Sequence, residues 1–240
     1  MELRNQTALV TGGTAGIGLA AARLLAREGA AVIISGRDAA RGAAAAAGLD
    51  GDVRFVQADL ADADSVKSLV RQCGEVDIIV NNAASFPGAL TVEQDIVSFD
   101  RTFTTNVRGA YFLVSSLVPG MLARGRGSII NVTSMVAFKG VPGASTYSAS
   151  KAALESLTRT WATEFGSRGV RVNSVAPGPT DTEGVRAQWG DTNDELGRAL
   201  PLGRTATAAE IAEAILFLAS PRSSFITGST LHADGGGAAA

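Results

Sequence analysis

The sequence predicts a doubly wound α/β protein, a parallel sheet of about seven strands with helices on both faces, formed by a single domain over residues 1–240. Three observations predict it. Short apolar runs alternate along the chain with Ala/Leu-rich or amphipathic helical stretches, the pattern of repeated strand–helix units. Some runs, such as Ile78-Ile79-Val80, are apolar at every position, as strands covered on both faces are. The glycine-rich and polar stretches directly follow the runs, which puts them at the carboxyl ends of the strands, where open α/β sheets bind ligands.

The first strand, residues 7–10, ends in Thr11-Gly12-Gly13-Thr14-Ala15-Gly16-Ile17-Gly18 and passes into a helix at 19–28. A strand, glycine turn and helix in that order let backbone amides approach a pyrophosphate at the helix N-terminus, although the spacing is not GxGxxG. The second strand, 31–35, ends in Gly36-Arg37, where an NAD-selective site carries a carboxylate for the ribose hydroxyls. Arg37 instead suits a 2′-phosphate, with Gly36 leaving space for it. This favours NADP(H), with NAD(H) and a merely solvated Arg37 as the alternatives. Residues 38–48, with five consecutive alanines at 43–47, read as the crossover helix to a third strand at 53–57. Asp59-Leu60 follows that strand, and Asp59 either accepts from an adenine amino group or caps the helix at 63–73. The strand at 78–80 ends in Asn81-Asn82-Ala83-Ala84.

Residues 95–122 read as a long, bent helix, because Asn106 and Gly109 inside it both lower propensity and point to a kink or a water site. Ser134 lies just beyond the next strand, 128–132. Then comes Tyr147-Ser148-Ala149-Ser150-Lys151 at the start of a helix that runs to about 165. Tyr147 and Lys151 stand one turn apart on the face that Leu154, Leu157, Trp161 and Phe165 turn inward. At ~4 Å and an effective dielectric of about 20, the ammonium lowers the phenol pKa by roughly three units before desolvation takes some back. Tyr147 is therefore a candidate general acid near neutrality. A sixth strand at 171–175 leads into Ala176-Pro177-Gly178-Pro179-Thr180-Asp181-Thr182. Residues 183–204 read as an irregular substrate loop and lid in which Val185, Trp189, Leu196 and Leu200 either touch substrate or pack on the loop. A helix at 208–219 and a strand at 229–233 complete the chain, and His232 is given no catalytic role.

With 21 Lys+Arg against 23 Asp+Glu, net charge −2, the chain has no basic excess for nucleic acid or an anionic membrane. Its apolar runs are too short to span a bilayer. Cys73 is the only cysteine, so no intrachain disulfide forms, and the N-terminus lacks a secretory pattern; a cytoplasmic protein is expected. No repeat, metal-ligand cluster or serine–histidine–acid set is present.

These stretches, in their order and spacing, resemble the short-chain dehydrogenase/reductase family from about residue 6 to 236. The likeness rests on Thr11 to Gly18, Asp59, Asn81 to Ala84, Asn106, Ser134, the Tyr147/Lys151 pair, and Pro177-Gly178 to Thr182; Ala84 stands where the family commonly has Gly. The resemblance implies a Rossmann-type oxidoreductase of a small carbonyl or alcohol, with Asn106, Ser134, Tyr147 and Lys151 as the catalytic set. It implies that Gly12, Thr14, Gly16, Ile17 and Gly18 hold the cofactor pyrophosphate, Asp59 and Leu60 the adenine, and Pro177, Gly178, Thr180 and Thr182 the nicotinamide. Asn82 and Ala83 join them, Lys151 and Tyr147 meet the nicotinamide ribose, and Asn106 positions a water that returns protons toward Lys151. It further implies a homotetramer, or a homodimer, packed through the helices at 95–122 and 145–165; the outward Ala152, Ser156, Arg159 and Thr163 are compatible with that. The expected activity is NADP(H)-dependent ketone reduction. The alternatives are an NAD-dependent alcohol, sugar or steroid dehydrogenase and, in another class, a nucleotide-binding sensor or scaffold. Ketoacyl thioester reductases of the family often carry Ile-Thr-Arg-Asp where this chain has Ser85-Phe86-Pro87-Gly88.

Overall fold

In the computed structural model, which describes residues 1–239, each apolar run becomes a strand and each amphipathic stretch a helix; residue 240, the end of the predicted domain, lies outside the described residues. The first half of the chain gives β1 (Thr7–Thr11), α1 (Gly16–Arg27), β2 (Ala31–Gly36), α2 (Ala39–Ala47), β3 (Val53–Gln57), α3 (Ala63–Cys73) and β4 (Ile78–Asn81). The second half gives α4 (Ile96–Phe103), α5 (Ala110–Arg124), β5 (Gly127–Val132), α6 (Ser145–Phe165), β6 (Val170–Pro177), β7 (Thr180–Asp181), α7 (Glu183–Trp189), α8 (Thr192–Arg198), β8 (Ala206–Thr207), α9 (Ala208–Ala219) and β9 (Thr230–Ala233).

Seven strands form one parallel sheet in the order β3-β2-β1-β4-β5-β6-β9, and β7 pairs with β8 apart from it. Successive side chains of a strand face opposite ways, and the core divides accordingly. Ala8, Val10, Ile78, Val80, Ile130 and Val175 pack with α1 and α9 on one face. Leu9, Ile79, Ile129 and Val172 pack with α3, α5 and α6 on the other. Full burial of each such aliphatic side chain contributes roughly 1.5–3 kcal/mol, which is why runs without a polar position occupy the centre of the sheet. The chain winds outward from β1 to β3, then returns to β4, so the order reverses between β1 and β4. A crevice opens there beyond the strand ends.

Two elements differ from the reading of the sequence. The expected bent helix is α4 and α5 joined by a π-helical turn at Thr104–Gly109, which holds Asn106 and Gly109, both buried. Residues 183–204 are not an irregular loop throughout: they contain α7, capped by Thr182, and α8, which a polar, glycine-interrupted sequence does not announce.

Candidate active site

The Tyr147/Lys151 helix is held by polar groups of which the sequence reading singled out only Asn81. Asn81 Nδ2 on β4 donates to Asn131 Oδ1 on β5 at 2.8 Å, and Asn131 Nδ2 donates to Thr158 Oγ1 on α6 at 2.8 Å. Thr158 Oγ1 donates to Leu154 O, so Ser174 Oγ on β6, 2.8 Å away, donates to Thr158. This chain of buried hydrogen bonds crosses three strands and fixes α6 against them. The sequence signal was a polar residue inside each apolar strand.

Near the other end of the helix, Asn106 spends both amide hydrogens, on Ser85 O and Ser150 Oγ, and its Oδ1 accepts from Ser85 N at 2.7 Å. Ser150 Oγ in turn donates to Tyr147 O at 2.7 Å. The Asn106 side chain therefore ties the π-turn, the 82–85 segment and α6 together.

Lys151 is 1% exposed, and its Nζ donates to Val132 O at 2.7 Å and lies 5.5 Å from the Tyr147 ring centroid. Burial depresses its pKa to about 8, and the charge of Glu155 one turn on opposes that fall. For Tyr147 burial also dominates: it pushes the phenol up to about 12, against the hydrogen bond with Ser134. The expected lowering by Lys151 is corrected here. The ammonium points to a backbone carbonyl, and burial sets the direction of the phenol's shift.

The crevice at the reversal point contains two adjoining cavities, with Asn82, Ala84 and Val185 on the wall of each. The outer one, about 410 Å³, is lined by Gly12, Thr14, Arg37, Asp59, Leu60, Ala83 and Thr182 among others. Gly12 has φ +63°, and a Cβ there would lie 2.9 Å from Ala83 Cα, so only glycine fits this turn. Helix α1 starts at Gly16 with no side-chain cap, leaving its first amides for an anion. Gly18 does not line the cleft: its missing side chain lets α1 close on Gly12 O and Asn82 Nδ2. Gly16, at φ +53°, brings the helix start beside Thr182. Arg37 and Arg41 both reach this cavity, and neither has an ion-pair partner among the described residues. Arg41 was missed because its position depends on the phase of α2. Asp38 is spent as the N-cap of α2, accepting from Arg41 N. Asp59 does not cap α3; Asp62 does, while Asp59 accepts from Ala61 N and sits 3.8 Å from Arg101. Uncapped helix amides beside two guanidiniums fit the phosphates of a nicotinamide dinucleotide.

The inner cavity, about 230 Å³, holds Ser134, Tyr147 and Lys151 with Ile17, Pro177, Gly178 and Thr180. Val185, Trp189 and Leu196 of α7 and α8 line it, whereas Leu200 lines a separate cavity that also contains His232. Trp189 packs on Phe86, which stacks on Tyr147. Cys73 is buried and its thiol pushed up to about 11, as befits an inert residue. Among the described residues no helix is long and apolar enough to cross a membrane, and no cluster could hold a metal ion.

Comparison with known proteins agrees with this geometry. A family model described as enoyl-(acyl carrier protein) reductase matches residues 12–237. The chain is 37% identical to the 3-oxoacyl-(acyl-carrier-protein) reductase FabG of Thermotoga maritima, over 98% of this chain and 99% of that protein. It is 40% identical to the cis-4-hydroxycyclohexanecarboxylate dehydrogenase of Sinomonas cyclohexanicum, over 96% of each. A solved short chain dehydrogenase/reductase family protein superposes with a TM-score of 0.97 at 61% identity, over the full length of both chains. The chain thus belongs to the short-chain dehydrogenase/reductase family and is an NAD(P)H-dependent oxidoreductase acting on carbonyl and alcohol groups.

Proposed function

We propose that the protein is an NADP(H)-dependent reductase of ketones to secondary alcohols, with Tyr147 as its general acid. The observation that carries this reading is the convergence of Tyr147, Ser134 and Lys151 in the inner cavity, directly beside the cleft into which Arg37 and Arg41 project. When bound, the reduced nicotinamide supplies hydride to the carbonyl carbon. Tyr147 holds the proton that the carbonyl oxygen takes up, and a phenol pushed up to about 12 carries that proton throughout the neutral range. Ser134 donates to the same oxygen and stabilises the charge developing there. Lys151, fixed to Val132 O, presents its charge to the phenol and to the nicotinamide ribose hydroxyls. Asn106, with its side chain committed, serves by holding the π-turn whose backbone receives the water of the proton path. Gly12, Thr14 and the start of α1 cradle the pyrophosphate, Asp59 and Leu60 take the adenine, and Pro177 to Thr182 orient the nicotinamide.

The exposed apolar side chains of α4 and α5, Ile96, Val97 and Phe112, support a homotetramer built on these helices, which light scattering of the purified protein tests. The names of several relatives favour a second reading, reduction of a 3-oxoacyl thioester. The deciding experiment follows NADPH and, separately, NADH absorbance over a carbonyl panel with Tyr147→Phe alongside. Turnover with NADPH that disappears in the variant is expected; undiminished turnover in Tyr147→Phe would remove the assignment.

A further inference from the structure

The inner cavity is a shelf of aromatic rings under an uncharged roof. Phe86 lies nearly parallel to Tyr147, with centroids 4.3 Å apart at 26°, and to Trp189, 5.3 Å apart at 25°. Gln188 Nε2 donates to Phe86 O at 2.7 Å, which binds the lid helix α7 to this column. Flat rings held in this way offer a surface on which another ring stacks or slides edge-on. Met135, Val136, Val141 and Leu196 make much of the remaining wall.

Charge and size narrow the occupant further. Lys151 is the only charged side chain among the residues lining the cavity, and beyond its bond to Val132 O its charge is the one assigned above to the phenol and the ribose. A substrate carboxylate buried here would lack a cation. The lid, residues 183–204, carries four carboxylates (Glu183, Asp191, Asp194, Glu195) and three guanidiniums (Arg186, Arg198, Arg204), and none of these charges lines the cavity. A cavity of about 150 Å³ is enough for one benzene ring. The 230 Å³ present must admit the nicotinamide ring beside Pro177 to Thr180 as well as the substrate, which leaves room only for a compact substrate group.

We infer that the substrate is a compact, uncharged ketone whose apolar substituent is seated against Phe86 and Trp189. The inference rests on the carbonyl-reductase reading and names its substrate class.

The test uses the full chain with NADPH and three ketones: 4-methylcyclohexanone, 4-oxocyclohexanecarboxylate and acetoacetyl-CoA. The neutral ring ketone is expected to have a kcat/KM at least roughly tenfold above each of the others. Trp189→Ala should raise its KM by about fivefold or more with kcat within about twofold, and Leu196→Arg, which adds a cation to the wall, should shift preference toward the oxocarboxylate. Trp189→Phe, which keeps a ring, should restore most of the lost KM. Independently of turnover, 4-methylcyclohexanone should quench the tryptophan fluorescence of the cofactor-free protein saturably, and Trp189→Phe should abolish the quench. A kcat/KM for the oxocarboxylate or the thioester equal to or above that of the neutral ketone overturns the inference and leaves the reductase reading standing. No turnover of any ketone together with saturable quenching removes the reductase reading and supports the pocket assignment. Absence of quenching overturns it.

Discussion

The two ends of the crevice are built on opposite terms. At the Tyr147 end, Lys151, Asn131, Thr158 and Ser174 are buried and hydrogen-bonded across β4, β5, β6 and α6. At the β2 end, Arg37 and Arg41 stand on the surface of an open cleft. Buried groups of this kind hold geometry, because a lost partner leaves a polar atom in a medium that cannot replace it. Surface guanidiniums hold only a charge that water and salt partly screen. The proposed chemistry thus sits at the rigid end and the proposed cofactor choice at the soft end.

Four substitutions or conditions sharpen that contrast. The largest effect is expected from Ser134→Ala: kcat for ketone reduction should fall by about 10²–10³, with nucleotide affinity, read by fluorescence titration, little changed. Retained kcat would place the oxyanion donor elsewhere. Thr158→Val, well away from the substrate, leaves Asn131 Nδ2 and Ser174 Oγ without their acceptor and should lower unfolding free energy by about 1–3 kcal/mol in urea titrations. A loss below about 0.5 kcal/mol would show the buried chain to be dispensable. At the soft end, Arg37→Ala with Arg41→Ala should raise KM for NADPH by about tenfold and leave that for NADH within about twofold. An unchanged NADPH/NADH preference would end the assignment of NADP(H). The mildest effect is that of pH. Lys151, depressed to about 8 by burial, keeps its ammonium below that pH and loses it above, so reduction should slow about twofold between pH 7 and pH 8 in initial-rate profiles. The same shift sets a stability slope. Between about pH 8 and its ordinary value of 10.5 the unfolded chain binds the proton that the folded one has released, so this group's contribution to stability rises with pH across that window.

The sheet, the glycine turn and the Tyr147/Lys151 helix were legible because local pattern dictates them: fully apolar runs, a strand–turn–helix sequence, a four-residue spacing. The capping choice was also within reach, since Asp62 directly precedes the α3 segment and reaches Asp64 N and Ser65 N. Other features depend on distance across the fold. Arg41 reaches the cleft only through the packing of α2, and Phe86 meets Tyr147 and Trp189 from widely separated segments. The sign of the Tyr147 shift was missed for the same reason. Spacing along a helix gives the neighbour but not how much water surrounds the pair, and here burial prevails.

The π-turn at Thr104–Gly109 has a consequence for chain length. A turn closed by i→i+5 bonds accommodates one residue more than an α-helical turn, so the widened turn absorbs that residue and the helices on either side keep their phase. Shortening this segment by one residue would let it wind as uninterrupted α-helix, with α4 and its outward Ile96 and Phe99 kept nearly in phase with α5. Helical content in circular dichroism would hardly change, yet Asn106 would leave Ser85 and Ser150. The extra residue therefore fixes where the Asn106 side chain is presented, not the phase of the two helices.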